Sequence, residues 1–342
     1  MLNTKKMGGI KKIQGFTSQY AIFIVLVLLV IGITIYNPAF LSIDSLRNIL
    51  IQSSTRAIIA LGVAFTLITA GTDLSAGRIV GLTAVVSASM LQTASYANRF
   101  FPDLPQVKLF LPIVLAILVG LICGLINGLV VAKLKVPPFI ATLGTMIVVY
   151  GINSMYFDMD PNNSQPIGGL RNDFKNIGSG SIGNGQYSIP YIVLIAIFIA
   201  FVVWIIFNKT KLGKNMYAIG GNMQAAKVSG INVARNLIYI YMIAGALYGL
   251  AGVLEASRTG GATNNYGNMY ELDAIAACVV GGVSTTGGIG TVPGVMVGVL
   301  IFTIINYGLT FIGLSPYWQL IVKGLIIVAA VAFDMRKYAA KK

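Results

Sequence analysis

The 342 residues include no histidine, only two cysteines, ten acidic residues and a charged fraction of 10%. Without histidine the chain lacks the commonest proton relay and metal ligand. Cys123 and Cys278 both fall inside apolar runs, which argues against a disulfide or a metal site. No Ser-His pair or paired catalytic acid is present, so an intramembrane enzyme is poorly provided for. A phosphate-binding loop, G-x-x-x-x-G-K-[ST], is also missing: Gly213-Lys214 is followed by Asn215 and lacks the upstream glycine. Charge this sparse, against 56% apolar residues, leaves too little polar surface for a soluble domain of this length. The net charge of +14 does not point to nucleic acid, because the cations sit between apolar spans rather than on one face.

What the chain does contain is long apolar runs. A helix needs about 20 apolar residues to cross a hydrocarbon core of about 30 Å, and open sheet edges do not exist in lipid. The fold class is therefore all-α, a polytopic integral membrane protein with about ten transmembrane or partly spanning helices. The runs cover residues 20–36, 57–70, 79–95, 109–132, 139–157, 189–207, 237–256, 271–283, 292–311 and 317–333. Asn37-Pro38 closes the first, since proline removes a donor and restricts its predecessor. Residues 40–56, amphipathic and mixed in charge, read as interfacial or partly inserted, on the outer side. The short runs at 57–70 and 271–283 end in glycine-rich breaks, GTDLSAG at 71–77 and GVSTTGG at 282–288. Discontinuous helices lining a cavity are expected there, and the two breaks echo each other loosely. Lys5, Lys6, Lys11 and Lys12 precede the first run with no small-residue cleavage site, so it reads as a retained anchor. The distribution of Lys and Arg puts both termini in the cytoplasm. One transmembrane domain, 1–342, then has an inner tail at 1–19, an outer loop at 158–188, an inner loop at 208–235 and an inner tail at 336–342.

The inner loop 208–235 carries five Lys or Arg and no acid. Its charges establish orientation, as any inner loop's would. Its apolar members, Met216, Tyr217, Ile219, Ala225, Ala226, Val228 and Ile231, would be a needless cost in a solvated linker. A short helix over 223–229 would present small residues for packing against another protein.

GKN at 213–215, AIGGN at 218–222 and AAKVSGI at 225–231 resemble the cytoplasmic signature of sugar ABC-importer permeases of the ribose and galactose group. The likeness extends to GTDLSAG at 71–77, PFIATLGT at 138–145 and YELDAIAA at 270–277, four motifs in order along the chain. Residues 262–265, ATNN, are most similar to the galactose branch. The resemblance implies a monosaccharide pathway subunit working as a homodimer, with a cytoplasmic ABC ATPase below, a periplasmic sugar-binding protein above, lipid around it and no nucleic acid. It implies no cofactor on this chain, ATP and Mg belonging to the ATPase, and an inner-membrane location. Coupling to the ATPase would fall to Gly213, Ala218, Gly220, Gly221, Asn222, Ala225, Ala226, Ser229 and Gly230, with bulky residues at Gly220 or Gly221 expected to abolish transport.

Pathway or gate candidates are the polar residues inside or beside apolar runs. Asp73, with Ser75, is costly in lipid at roughly 2.5–3.5 kcal/mol near a helix centre. It reads either as a gate or as a cap for the helix that follows, with Arg78 as a partner. Glu255, Arg258, Glu271 and Asp273, with Asn264 and Asn265, offer the groups a polyhydroxylated sugar would need, or an interfacial salt-bridge and docking set. Asn127, Asn153 and Asn306 read as interhelical amides or sugar contacts. An ion-coupled secondary sugar transporter is the alternative, but that class usually relies on buried acids or histidines, which are scarce here.

Overall fold

The computed structural model describes residues 26–339 apart from Asn184 and Gln186. The lysine-bearing tail 1–19 and residues 340–342 lie outside the described residues. Two long helices form the centre. Helix α2 (Ile43–Ile68) begins at Ser42, whose hydroxyl accepts from the Ser45 amide, with Asp44 in a first turn that favours an acid. Every residue from Ala57 to Ile68 is buried, as expected of a helix apolar all round. Helix α10 (Val233–Thr259) starts on the Asn232 side chain and stops at Gly260, whose φ of 72° suits glycine.

α10 packs along α4 (Phe110–Ala132) through glycine. A Cβ at Gly120, Gly124 or Gly128 would press on the α10 backbone at Gly245, Tyr241 and Ile238, and Gly245 and Gly249 abut α4 in the same way. This is small-xxx-small packing, in which backbones approach closely because no side chain intervenes. The repeat 120/124/128 is visible in the sequence as G-x-x-x-G twice over.

Around this pair stand α1 (Leu26–Tyr36), α3 (Ala76–Met90), α5 (Pro138–Phe157), α7 (Tyr191–Lys209), α11 (Tyr270–Val280), α12 (Val292–Phe311) and α13 (Pro316–Ala339). The helices α2, α4, α5, α7, α10 and α12 are six that are long and apolar enough to cross a bilayer, and α1, α3, α11 and α13 correspond to the remaining expected segments. Burial separates centre from rim. The most apolar window of α2 is 78% buried and that of α5 is 22%, so α5 turns Ile147, Val148 and Ile152 outward.

Residues 40–56 are not a separate interfacial segment. After one 3-10 turn (Pro38–Leu41) they form the first half of α2, continuous with 57–68 over about 39 Å. Arg56 in that half meets another helix, its guanidinium 3.3 Å from the Tyr270 ring centroid. The loop 158–188 is folded as well. It carries α6 (Asn172–Ser179) and a small antiparallel pair, β1 (Ser181–Ile182) with β2 (Ile189–Pro190). Ser257 near the end of α10 ties it down, its hydroxyl 2.5 Å from the Phe174 carbonyl and accepting from the Gly178 amide at 2.8 Å.

Both glycine-rich breaks are present, between Ile68 and Ala76 and between Val280 and Val292. They lie at the same end of the bundle and touch: the Gly288 amide donates to the Ile68 carbonyl at 2.8 Å. At the other end the Tyr307 hydroxyl lies 3.4 Å from Ser45 Oγ, so α2 and α12 run antiparallel.

Candidate functional site

Two short helices of the loop 208–235, α8 (Lys211–Gly221) and α9 (Met223–Val228), occupy the bundle end where the breaks meet. The Thr210 hydroxyl starts α8 by accepting from the Gly213 amide, and Gly213 sits against the Ile206 and Phe207 carbonyls with no room for a Cβ. Met216 and Ile219 are buried. Gly220 rests directly on the Ile68 carbonyl and the Gly288 amide, so a side chain there would overlap backbone. The Tyr217 hydroxyl donates to the Gly290 carbonyl at 2.8 Å. Three segments therefore share one joint: the end of α2, the end of α8 and the turn before α12. Ile68 and Gly290 were not singled out from the sequence, Tyr217 was named only as an apolar member of the loop, and Gly287 and Gly288 only as part of the second break. The doubled glycines at 220–221 and 287–288 were the available signal.

Asn222 ends α8 and caps α9, its side chain accepting from the Ala225 amide at 2.9 Å. The far end closes as a Schellman turn: Ile231 donates to Ala226, Gly230 donates to Lys227, and Gly230 has φ of 82°. Ala226 faces inward, whereas Ala218, Gly221, Asn222, Ala225, Ser229 and Gly230 are exposed. Val228 is 89% exposed and Met223 44%, which gives a small apolar knob with no cover among the described residues.

Burial pushes the Tyr217 hydroxyl above the usual tyrosine value. A raised value keeps the neutral donor form favoured in the folded chain, so the contact to Gly290 persists below about pH 10 and weakens only above it. Tyr217→Phe removes one neutral hydrogen bond, about 1 kcal/mol. We expect the thermal midpoint of the purified chain in detergent to fall by a few degrees. An unchanged midpoint would mean the joint does not draw on this contact.

The first break is held internally. Asp73 Oδ1 accepts from the Ser75 amide at 2.9 Å and from Ser75 Oγ at 2.6 Å, and Asn127 Nδ2 donates to Ser75 Oγ at 2.8 Å. Thr142 Oγ1 on α5 accepts from the Leu74 amide at 3.0 Å. Asp73 is 1% exposed. This is an Asx turn just ahead of α3; the helix itself begins at Ser75 with no side-chain cap hydrogen bond. Arg78 does not pair with Asp73. It donates to Asn268 Oδ1 at 2.7 Å and lies 4.1 Å over the Tyr150 ring, because it points from α3 toward the non-helical segment 260–269.

That segment turns back along α3 and α5. Asn153 Nδ2 donates to the Asn264 carbonyl at 3.2 Å, and Asn264 Nδ2 lies 3.4 Å from Ser154 Oγ. Gly267 and Gly77 meet backbone to backbone. Three buried atoms in this region have no hydrogen-bond partner: Arg78 Nη1, Asn153 Oδ1 and Glu271 Oε2. Asn265 and Asn268 beside them are exposed. Donors and acceptors left unpaired among the described residues at such cost make this a polar patch with hydrogen-bonding capacity to spare.

The other two acids of the expected cluster are paired. Glu255 Oε1 accepts from Arg258 Nη2 at 2.7 Å and from the Tyr270 hydroxyl at 3.2 Å, and Asp273 Oδ2 accepts from Lys323 Nζ at 3.0 Å with Arg56 at 3.9 Å. Of the expected acidic cluster, Glu255 and Asp273 join ion pairs while Glu271 faces the unpaired patch.

Residues 45–331 match the family model described as branched-chain amino acid transport system / permease component. The chain is 55% identical over 338 residues to the galactose/methyl galactoside import permease protein MglC of Haemophilus influenzae, covering 98% of this chain and 100% of the relative. It is 53% identical over 332 residues to the protein of the same name from Escherichia coli, with 97% and 98% covered. Against the ribose import permease protein RbsC of Bacillus subtilis the identity is 40% over 329 residues, with 95% of each covered. No solved structure matches the chain.

Proposed function

We propose, from the premise that this chain belongs to the branched-chain amino acid transport system / permease component family, that it is the pathway subunit of an ATP-driven importer for galactose or methyl galactoside. The observation that carries the sugar is identity of more than half the residues, end to end, with import permeases named for that sugar. The joint of α2, α8 and α12 supports the mechanism. An ATPase seated on the exposed α9 knob would push α8, and α8 has no slack against Ile68 and Gly288. The push would reach two membrane helices at once as a rigid-body movement.

In this reading ATP and Mg are bound by separate ATPase chains, this chain performs no chemistry, and a periplasmic binding protein delivers the sugar. A second copy completes the pathway, and both termini face the cytoplasm. The unpaired patch of Arg78, Asn153 and Glu271, with Asn264, Asn265 and Asn268, offers passing hydroxyls both donors and acceptors. Asp73, Ser75 and Asn127 instead hold the break in shape.

Proteoliposomes containing the permease, its ATPase and the binding protein provide the test. Galactose uptake should require ATP and be indifferent to a proton uncoupler. Uptake that survives ATP removal and collapses with the uncoupler would establish the ion-coupled alternative instead.

A further inference from the structure

On the other side of α11 from the unpaired patch lies a separate cavity of about 200 Å³, walled by α2, α11, α12 and α13. Gln52, Gln319 and Thr310 line it toward the end away from α8 and α9, charged groups stand at its middle, and Val299, Phe302 and Ile59 line its deeper part. Its volume is several times the ~30 Å³ share of one liquid water, the scale of a single small polyol.

Two buried atoms among its lining residues lack partners, and they are of opposite kind. Arg56 Nη1 on α2 is a donor without an acceptor, and Asn306 Oδ1 on α12 is an acceptor without a donor. Arg56 Nη1 stands 3.9 Å from Asp273 Oδ2, within ion-pair range but too far for a hydrogen bond. Asp273 is already engaged by Lys323 at 3.0 Å. An oxyanion would meet Arg56 but leave Asn306 Oδ1 unmet and be repelled by Asp273. A cation would meet Asn306 and be repelled by Arg56 and Lys323. A hydroxyl donates and accepts at once, so a molecule carrying several hydroxyls meets both walls without adding charge.

We propose that this cavity is a polyol-binding site within each protomer, distinct from the patch beside α5, with Arg56 and Asn306 as its recognition pair. That the polyol is a hexose rests on the function proposed above, whereas the chemistry of the site does not. The α11 half-helix is the wall common to both places, presenting Glu271 to one and Asp273 to the other.

Saturation-transfer NMR on the purified full-length chain in detergent, with galactose as probe and sulfate as competitor, tests the site directly. Wild type is expected to give galactose signals that sulfate does not displace. Asn306→Leu, of similar volume and with no polar atom, should reduce them at least tenfold, while Asn306→Asp, which keeps an acceptor, should retain them. Absence of galactose signal in wild type, an undiminished signal in Asn306→Leu, or displacement by sulfate would each overturn the proposal. ATP-driven uptake measured in parallel separates the two readings: binding without uptake counts against the importer and leaves the site standing, and uptake without binding does the reverse.

Discussion

Gly220→Leu should lower ATP-driven uptake at least a hundredfold while the chain remains in the membrane. The cause is backbone rather than side-chain crowding. A Cβ at this position overlaps the Ile68 carbonyl and the Gly288 amide, which are hydrogen-bonded to each other at 2.8 Å. Flexible side chains move aside for about 1–3 kcal/mol when a core is overpacked, but these two groups are pinned to the ends of α2 and α12. The end of α8 must therefore lift away, breaking the joint through which a push from below would travel. Gly221 behaves differently despite being its neighbour, since a Cβ there meets nothing within the chain. Loss of uptake in Gly221→Ala at normal chain stability would thus report the contact with the ATPase itself. Uptake in Gly220→Leu comparable to wild type would remove the joint from the mechanism.

Glu255→Leu should destabilise the chain by about 3 kcal/mol, the lower end of the cost of breaking a buried ion pair. Glu255 is 3% exposed, and its loss strips Arg258 of its carboxylate and the Tyr270 hydroxyl of its acceptor. Arg258 retains 24% side-chain exposure, which tempers the penalty. The measurement is a thermal melt of the purified chain in detergent, in which Tm should fall by several degrees. The double variant Glu255→Leu/Arg258→Leu should recover most of the loss, because an apolar pair leaves no charge uncompensated. A double variant no better than the single one would place the stability in packing around Glu255 rather than in the ion pair.

Apolar length alone located the membrane helices. The run 292–311 coincides with α12, and Val233–Thr259 extends the expected 237–256 by about a turn at each end. Composition misled where polar residues serve the interior. Arg47, Gln52 and Arg56 made residues 40–56 look interfacial, although Arg56 lies over the Tyr270 ring and within ion-pair range of Asp273, both on α11 and more than 200 positions later. The same limit applied to Arg78, whose partners Tyr150 and Asn268 lie on distant segments while Asp73 is merely near in sequence. The short helix expected at 223–229 was legible because its cap, its buried Ala226 and its Gly230 stop are all local. The seat for Gly220 was not, since it is built from carbonyls and amides, which every residue possesses and no sequence distinguishes.

The Gly288–Ile68 hydrogen bond joins residues 220 positions apart, and this has a consequence for how the protein is made. During synthesis α2 is threaded into the membrane and α8 is laid at its end while the turn that completes their shared joint has yet to leave the ribosome. Contacts of such long sequence separation form late, and until then the Ile68 carbonyl and the surface of Gly220 lack their third member. Chains arrested before residue 288 would therefore carry an open seam where α2 and α8 meet. The last quarter of the chain is the closing piece that locks that end of the bundle together.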